Sequence, residues 1–233
     1  MKLNIAILGS TGSIGRSLLK IISKDKKKYK ISLITANTNY KLILEQAKKF
    51  NVKNIIITNK KYFDLARSRN NRKNLNILNN FQELDKIFRT KIDYVMNSIV
   101  GLDGLLPTFK IIKHTNKIAI ANKESIICAW NLIKKELKKN NTEFIPVDSE
   151  HFSIWHNLRN SSKDNIEKLY LTASGGPLLK LPIKKFRNIK INKIINHPNW
   201  KMGPKISVDS ATMMNKVFEV IGEMSSARSS VSQ

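Results

Sequence analysis

The sequence predicts an α/β protein built on a doubly wound parallel sheet, and three observations carry that expectation. An apolar run, Leu-Asn-Ile-Ala-Ile-Leu at 3–8, stops at the glycine-rich turn Gly-Ser-Thr-Gly-Ser-Ile-Gly at 9–15. Strand-like and helix-like stretches then alternate for about the first 150 residues, as expected of βα units. After Val147 the texture changes to polar, turn-rich clusters with little periodicity, the mark of site-forming loops on a second domain.

Each element has its own warrant. Residues 3–8 read as a short buried strand, and Ile14, Leu18, Leu19 and Ile22 follow at helical spacing. Glycines at such a corner allow positive φ and close approach, while the opening turn of the next helix presents its amides to an anion. That context suits a dinucleotide fingerprint, although a helix packed closely on a strand uses the same turn. Further strands are expected at 31–36, 54–58, 94–98, 117–120 and 143–146, and helices at 40–50, 61–69, 105–113 and 124–139. Ligands of such a sheet sit beyond the carboxyl ends of its strands.

Composition narrows the function classes. With 233 residues the chain can form one large or two ordinary domains. The absence of a long apolar run or a signal-like start leads to the expectation of a soluble, cytoplasmic protein without a membrane partner. A single cysteine, Cys128, excludes an internal disulfide framework and a cysteine-based zinc site. The net charge of +25 invites a nucleic-acid reading. The lysines are spread along the chain with abundant Asn and Ile, however, and no aromatic-basic interleaving accompanies them. Runs such as 24–30 therefore read as solvated helix ends and loops.

Several polar clusters could carry chemistry. Asp148 and Glu150 stand two apart, which on an extended segment puts both carboxylates on one face, the oxygen-rich surrounding that Mg²⁺ or Mn²⁺ wants. The bland alternative is a pair of exposed acids. Against it stands scarcity: the chain has 17 acidic residues beside 42 basic ones. Glu219 completes a set only if the fold brings it near. Thr172 begins a strand end that runs into Ser174-Gly-Gly-Pro177, suited to a phosphate cradle, a lid or a plain tight turn. His197 and Trp200 combine a hydrogen-bonding ring with an apolar cover. Ser210, Asn215 and Lys216, around Met213 and Met214, offer neutral donors and a cation to an anion.

Six motifs in register resemble the 1-deoxy-D-xylulose 5-phosphate reductoisomerase family: the glycine turn, Ala-Asn-Lys-Glu-Ser at 121–125, Pro-Val-Asp-Ser-Glu-His at 146–151, Ser-Gly-Gly-Pro at 174–177, His-Pro-Asn-Trp-Lys-Met-Gly at 197–203, and Lys-Ile-Ser-Val-Asp-Ser-Ala-Thr-Met-Met-Asn-Lys at 205–216. The resemblance runs from Lys2 to about Ile221. It implies a Rossmann-like NADPH domain at 1–149 and an α+β catalytic domain from 150, incomplete at 233, with a C-terminal helical domain missing. It further implies conversion of 1-deoxy-D-xylulose 5-phosphate to 2-C-methyl-D-erythritol 4-phosphate for isoprenoid synthesis, with NADPH and Mn²⁺ or Mg²⁺, in a homodimer. Matched motif by motif, Thr11, Gly12, Ser13, Ile14, Asn39, Asn122, Glu124 and Gly203 contact the cofactor. Asp148, Glu150 and Glu219 correspond to the metal ligands. Lys123, Ser149, Ser174, His197, Ser210, Asn215 and Lys216 correspond to substrate contacts, with Trp200 and Met202 on the flexible cover.

Two departures accompany the resemblance. Thr38 stands where the family usually carries a basic residue facing the cofactor's 2′-phosphate, which weakens the expectation of NADPH over NADH. After Ile221 the sequence runs Gly-Glu-Met-Ser-Ser-Ala-Arg-Ser-Ser-Val-Ser-Gln, with Gly222 where another acid is common. The expectation is a fragment or a frameshifted copy, of doubtful activity. The alternatives are an inactive remnant, a basic nucleic-acid-binding protein on the same fold, and a semialdehyde-type dehydrogenase. The last needs a nucleophilic cysteine, whereas Cys128 falls in an apolar helical stretch and is expected to pack in the core.

Overall fold

The computed structural model describes residues 2–158, 166–197 and 203–230, with 223–230 described by backbone alone. Two compact units divide the chain, Met1–Asp148 and Ser149–Gln233.

The first unit alternates β1 (Leu3–Leu8), α1 (Ser13–Lys24), β2 (Tyr29–Ala36), α2 (Tyr40–Lys49), β3 (Asn54–Ile57), α3 (Lys60–Arg69), β4 (Asn76–Leu78), α4 (Leu84–Ile87), β5 (Ile92–Asn97), α5 (Leu105–Ile112), β6 (Thr115–Ile120), α6 (Lys123–Lys139) and β7 (Glu143–Pro146). All seven strands are parallel, in the order β4-β3-β2-β1-β5-β6-β7. The order reverses at β1, so the cleft between the carboxyl ends of β1 and β5 is the topological switch point.

A parallel sheet is covered on both faces, which is why its strands are apolar at consecutive positions rather than at alternate ones. Successive side chains of β1 point to opposite faces. Ala6 and Leu8 join Val95, Ile118 and Ile133 in one buried layer. Ile5 and Ile7 join Ile31, Ile34 and Ile43 in the other. Each fully buried isoleucine contributes about 1.5–3 kcal/mol relative to exposure. Asparagine side chains start two of the helices: Asn39 Oδ1 accepts from Leu42 N (3.2 Å) and Asn59 Oδ1 from Tyr62 N (3.4 Å).

The structure adds and corrects several elements. β4 and α4 were not expected from the sequence. β4 is a three-residue edge strand inside an Asn-rich stretch, and it exists because β3 offers a paired partner, Ile55 opposite Ile77. Cys128 is exposed, not core. The buried stripe of α6 runs through Ser125, Ile126, Ala129, Ile133 and Leu137, and position 128 falls off it. The lysines of 24–30 are exposed, as solvated ends should be.

The second unit carries α7 (Ser149–Leu158), a 3-10 turn (Ile183–Asn188), α8 (Ile191–Ile195), α9 (Pro204–Ala211) and α10 (Met214–Ser230). Among its described residues no strand forms. Thr172, read as part of a strand end, lies in irregular backbone with no paired strand. Asp148 and Glu150 do not share an extended segment either, because Ser149 opens α7 and puts Glu150 in its first turn. An acid there is favoured by the amide end of the helix. No helix among the described residues is long and apolar enough to cross a membrane.

One buried group makes stability pH-dependent. His114, 6% exposed, packs at a tilt against Phe88 (5.6 Å between ring centres), and its Nε2 lies 3.6 Å from Asp85 Oδ1. Burial pushes the imidazole below its ordinary range of about 6.5, against the pull of Asp85. A base whose folded pKa is depressed favours folding when neutral, so that contribution is present above about pH 6.5 and is lost as pH falls. We expect the urea midpoint to fall between about pH 7 and about pH 5, and His114→Gln to flatten that part of the profile.

Candidate functional site

In the first unit the candidate residues gather at the carboxyl edge of the sheet. β1 ends at Gly9, whose φ of +81° is the left-handed conformation that glycine tolerates without a Cβ penalty. Gly9 N donates to Thr35 Oγ1 at the end of β2 (2.9 Å). The next residue, Ser10, is buried; its Oγ donates to Gln46 Oε1 (2.7 Å), and Gln46 Nε2 donates back to Ser10 O (3.0 Å). This pair ties the turn to α2. Gly15 lets α1 pack directly on the turn, since a Cβ there would stand 2.5 Å from Gly9 O and 2.6 Å from Ser10 Cα. Gly12 then caps α1 without a side-chain hydrogen bond, and Gly12, Ser13 and Ile14 are exposed with Thr11 half-buried.

The neighbouring strand ends complete the edge. Ser98, after β5, donates to Leu8 O (2.7 Å), which locks β5 against the glycine turn. Asn97 Nδ2 donates to Gly104 O (3.0 Å) and Thr108 Oγ1 (2.7 Å). Asn122, after β6, is 4% exposed and donates through Nδ2 to Ile99 O (2.8 Å). Among the described residues its Oδ1 has no hydrogen-bond partner, nor has Ser125 Oγ, which is fully buried. Thr38 and Asn39, after β2, are exposed, and Asn39 has a structural use as the cap of α2. Lys123 Nζ lies 3.1 Å from Asp148 Oδ2, with both side chains largely buried.

Sequence reasoning passed over Ser10, Asn97 and Ser98. The available signal was a polar residue directly after an apolar strand at the switch point. It is visible in Leu8-Gly9-Ser10 and in Met96-Asn97-Ser98.

In the second unit two groups of candidates form. Glu219 on α10 is fully buried, and its carboxylate lies within 4.8 Å of that of Glu150 on α7. Lys216 Nζ pairs with Glu150 Oε1 (2.9 Å) and with Glu219, Asn215 Nδ2 donates to Glu219 Oε1, and Ser149 Oγ donates to Glu150 Oε2 (2.6 Å). Burial alone pulls the Lys216 ammonium down, but hydrogen bonds to Glu219 and Glu150 outweigh it and hold its pKa above the ordinary lysine range. A buried carboxylate needs such partners, because charge taken from water uncompensated is costly. Asp148 precedes Glu150 by two residues along the chain.

The other group is Ser174, His197 and Ser210. Ser174 Oγ lies 3.1 Å from His197 Nε2 and 3.3 Å from Ser210 Oγ. The double glycine makes this possible: Gly175 and Gly176 have φ of +74° and +62°, and a Cβ on Gly176 would stand 2.6 Å from Ser210 O. Ser210 does not share a helix with Asn215 and Lys216. Met213, at φ +61°, breaks the chain between α9 and α10. Gly203 caps α9, with open space where a Cβ would be. Trp200 and Met202 lie outside the described residues.

Residues 5–130 match the family model described as 1-deoxy-D-xylulose 5-phosphate reductoisomerase, and 144–225 match that of its C-terminal domain. The 1-deoxy-D-xylulose 5-phosphate reductoisomerase of Pelagibacter ubique is 60% identical over 219 residues, which cover 93% of this chain and 56% of that protein. That of Wolbachia pipientis from Culex pipiens is 40% identical over 218 residues, again 93% of this chain and 56% of the relative. A solved DOX-P reductoisomerase in complex with NADPH, fosmidomycin and magnesium superposes with a TM-score of 0.86 at 36% identity, over 96% of this chain and 58% of that one. The Zymomonas mobilis enzyme in complex with NADPH gives 0.84 at 30% identity, over 97% and 58%. The chain thus spans somewhat more than half the length of these relatives.

The packing of the glycine turn is directly testable. Gly15→Val drives a branched side chain into the backbone of Gly9 and Ser10, and we expect a loss of about 1–3 kcal/mol or more in urea unfolding. Gly12→Ala, whose Cβ meets only Gly9 O at 3.4 Å, should leave the midpoint nearly unchanged.

Proposed function

Because the chain belongs to the 1-deoxy-D-xylulose 5-phosphate reductoisomerase family, we propose that it carries the dinucleotide-binding part and the metal- and substrate-binding part of an enzyme of that activity. The reaction converts 1-deoxy-D-xylulose 5-phosphate to 2-C-methyl-D-erythritol 4-phosphate, with NADPH and Mg²⁺ or Mn²⁺. The observation that carries the reading is the fully buried Glu219 beside Glu150, with a lysine ammonium as their counter-cation, in a chain poor in acids. We further infer a cytoplasmic enzyme of isoprenoid-precursor synthesis that works as a homodimer.

The residues present fit both absent groups. Asp148, Glu150 and Glu219 are hard oxygen donors suited to a divalent cation. Asn122 Oδ1 and Ser125 Oγ, buried without hydrogen-bond partners among the described residues, have bonding capacity that a cofactor would use, and the open turn of Thr11, Gly12, Ser13 and Ile14 suits a dinucleotide phosphate. When bound, the cation stabilises negative charge developing on substrate oxygens, and NADPH supplies the hydride.

The protein's own residues bind and orient. Lys216, Asn215, Ser210 and Ser174 would hold the substrate phosphate, so that binding energy remote from the reacting carbons becomes orientation. Lys123 and Ser149 would hold the hydroxyl-bearing end. Asn39, Glu124 and Gly203 would contact the cofactor beyond its phosphates. His197, Trp200 and Met202 would cover the site and exclude water.

The decisive assay is NADPH oxidation, followed by absorbance, with 1-deoxy-D-xylulose 5-phosphate and Mn²⁺. We expect turnover that requires both, and a fall of about 10²-fold or more in Asp148→Asn. Turnover unchanged in that variant would sink the proposed ligand set. Lys216→Met separates the roles: KM should rise by about tenfold or more, while Mn²⁺ binding measured by calorimetry is kept or strengthened, since the competing ammonium is gone. Thr38→Arg should widen the ratio of kcat/KM for NADPH over NADH, as a guanidinium beside the 2′-phosphate would. An unchanged ratio would place 2′-phosphate recognition elsewhere.

A further inference from the structure

A cleft of about 660 Å³ lies at the amino ends of the strands, at the opposite edge of the sheet from the glycine turn. β1 spans six residues between the two edges, about 20 Å at an extended rise. The cleft is therefore separate from the dinucleotide edge, and none of the candidate site residues lines it.

Seven of its nineteen lining residues are Lys or Arg and none is acidic. Lys86 pairs with Glu83. The remaining six, Lys2, Lys26, Lys30, Lys49, Lys53 and Arg89, form no ion pair with a carboxylate among the described residues. Lys26 and Lys49 both sit over the ring of Phe50, 5.6 and 5.7 Å from its centre.

The floor is polar and cross-linked, and Asn4 N donates to Asp93 Oδ2 (2.7 Å). Ser32 Oγ donates to Asn4 Oδ1, Asn54 Nδ2 to Ser32 O (3.1 Å), and Asn76 Nδ2 to Asn54 Oδ1 (3.3 Å). These bonds link β1 to β2, β2 to β3 and β3 to β4. Uncompensated like charges around one concavity repel each other, and an anion that bridges several of them relieves the repulsion. A monovalent anion cannot span the rim. The volume falls within the range of small-molecule sites and is bounded on the floor, which suits a compact ligand better than a long polymer.

We propose that this cleft is a second ligand site, taking a small molecule that carries a chain of two or more phosphates. Calorimetry on the full chain, with and without saturating NADPH, tests it with inorganic triphosphate and with ATP as probes. We expect saturable one-site binding of triphosphate whether or not NADPH is present. Equal affinity for ATP would show that the phosphate chain alone is read, and tighter ATP binding that the nucleoside end is held as well. Lys30→Ala with Lys53→Ala should weaken triphosphate by about tenfold or more. A charge-matched pair on α6, Lys135→Ala with Lys138→Ala, should change it less than about twofold. All four lysines are exposed, so both double variants keep the fold, which circular dichroism checks. Absence of saturable binding, or equal loss in both pairs, overturns the proposal. A single-stranded oligonucleotide that displaces triphosphate with higher affinity also overturns it, in favour of a nucleic-acid surface.

Discussion

A parallel strand cannot be followed directly by its neighbour; the chain must cross over and return to the same end. In the first unit that constraint acts at every step, because all seven strands run the same way. The crossovers place helices on both faces, so Ile5 and Ile7 are buried on one side of β1 while Ala6 and Leu8 are buried on the other. With both faces sealed, the strand ends are where polar chemistry has room. The carboxyl ends all emerge on one edge, and Gly9, Ser98 and Asn122 meet there although they lie far apart in sequence. The amino ends emerge on the other edge, where the asparagine and serine ladder forms.

Close packing then sets which residues the edge can hold. α1 begins so near to β1 that Gly15 has no room for a methyl group, and Gly9 takes a backbone conformation that other residues avoid. Ser10 and Gln46 satisfy each other inside that corner. Beyond the carboxyl end of β6, Asn122 Oδ1 and Ser125 Oγ are buried without hydrogen-bond partners among the described residues. Buried polar atoms of that kind are costly without a partner, and a ligand group is one way to provide it.

The second unit has a different organising principle. It has no described strand to gather its helices, and its polar clusters are drawn together by charge. Glu219 is fully buried with Lys216 one helical turn before it, so the carboxylate brings its own counter-cation. Lys216 also reaches Glu150 across from α7. A buried ion pair of this sort adds little net stability once desolvation is counted, so its retention is better understood as holding geometry than as holding the fold.

Much of this was legible in the residues themselves. The strand 3–8, the glycine turn and the helices after it follow from period and from glycine placement, because local sterics and burial act within a few residues. β4 was not legible, since Asn76, Ile77 and Leu78 have no strand character until β3 pairs with them. Cys128 was misplaced because an apolar neighbourhood does not say which side of α6 faces the core. Asp148 and Glu150 drew notice by scarcity, yet the extended geometry assumed for them gave way to the first turn of α7. The break at Met213, which puts Ser210 on a different helix from Asn215, left no trace in spacing either. The kind of fold and the chemical types at its edges depend on near neighbours in the chain, so both can be read from the residues alone. Long-range packing brings Glu219 beside Glu150 and Ser174 to Ser210, and it gathers around one cleft six cations that form no ion pair among the described residues. Those are contacts between residues distant in sequence, and no local pattern encodes them.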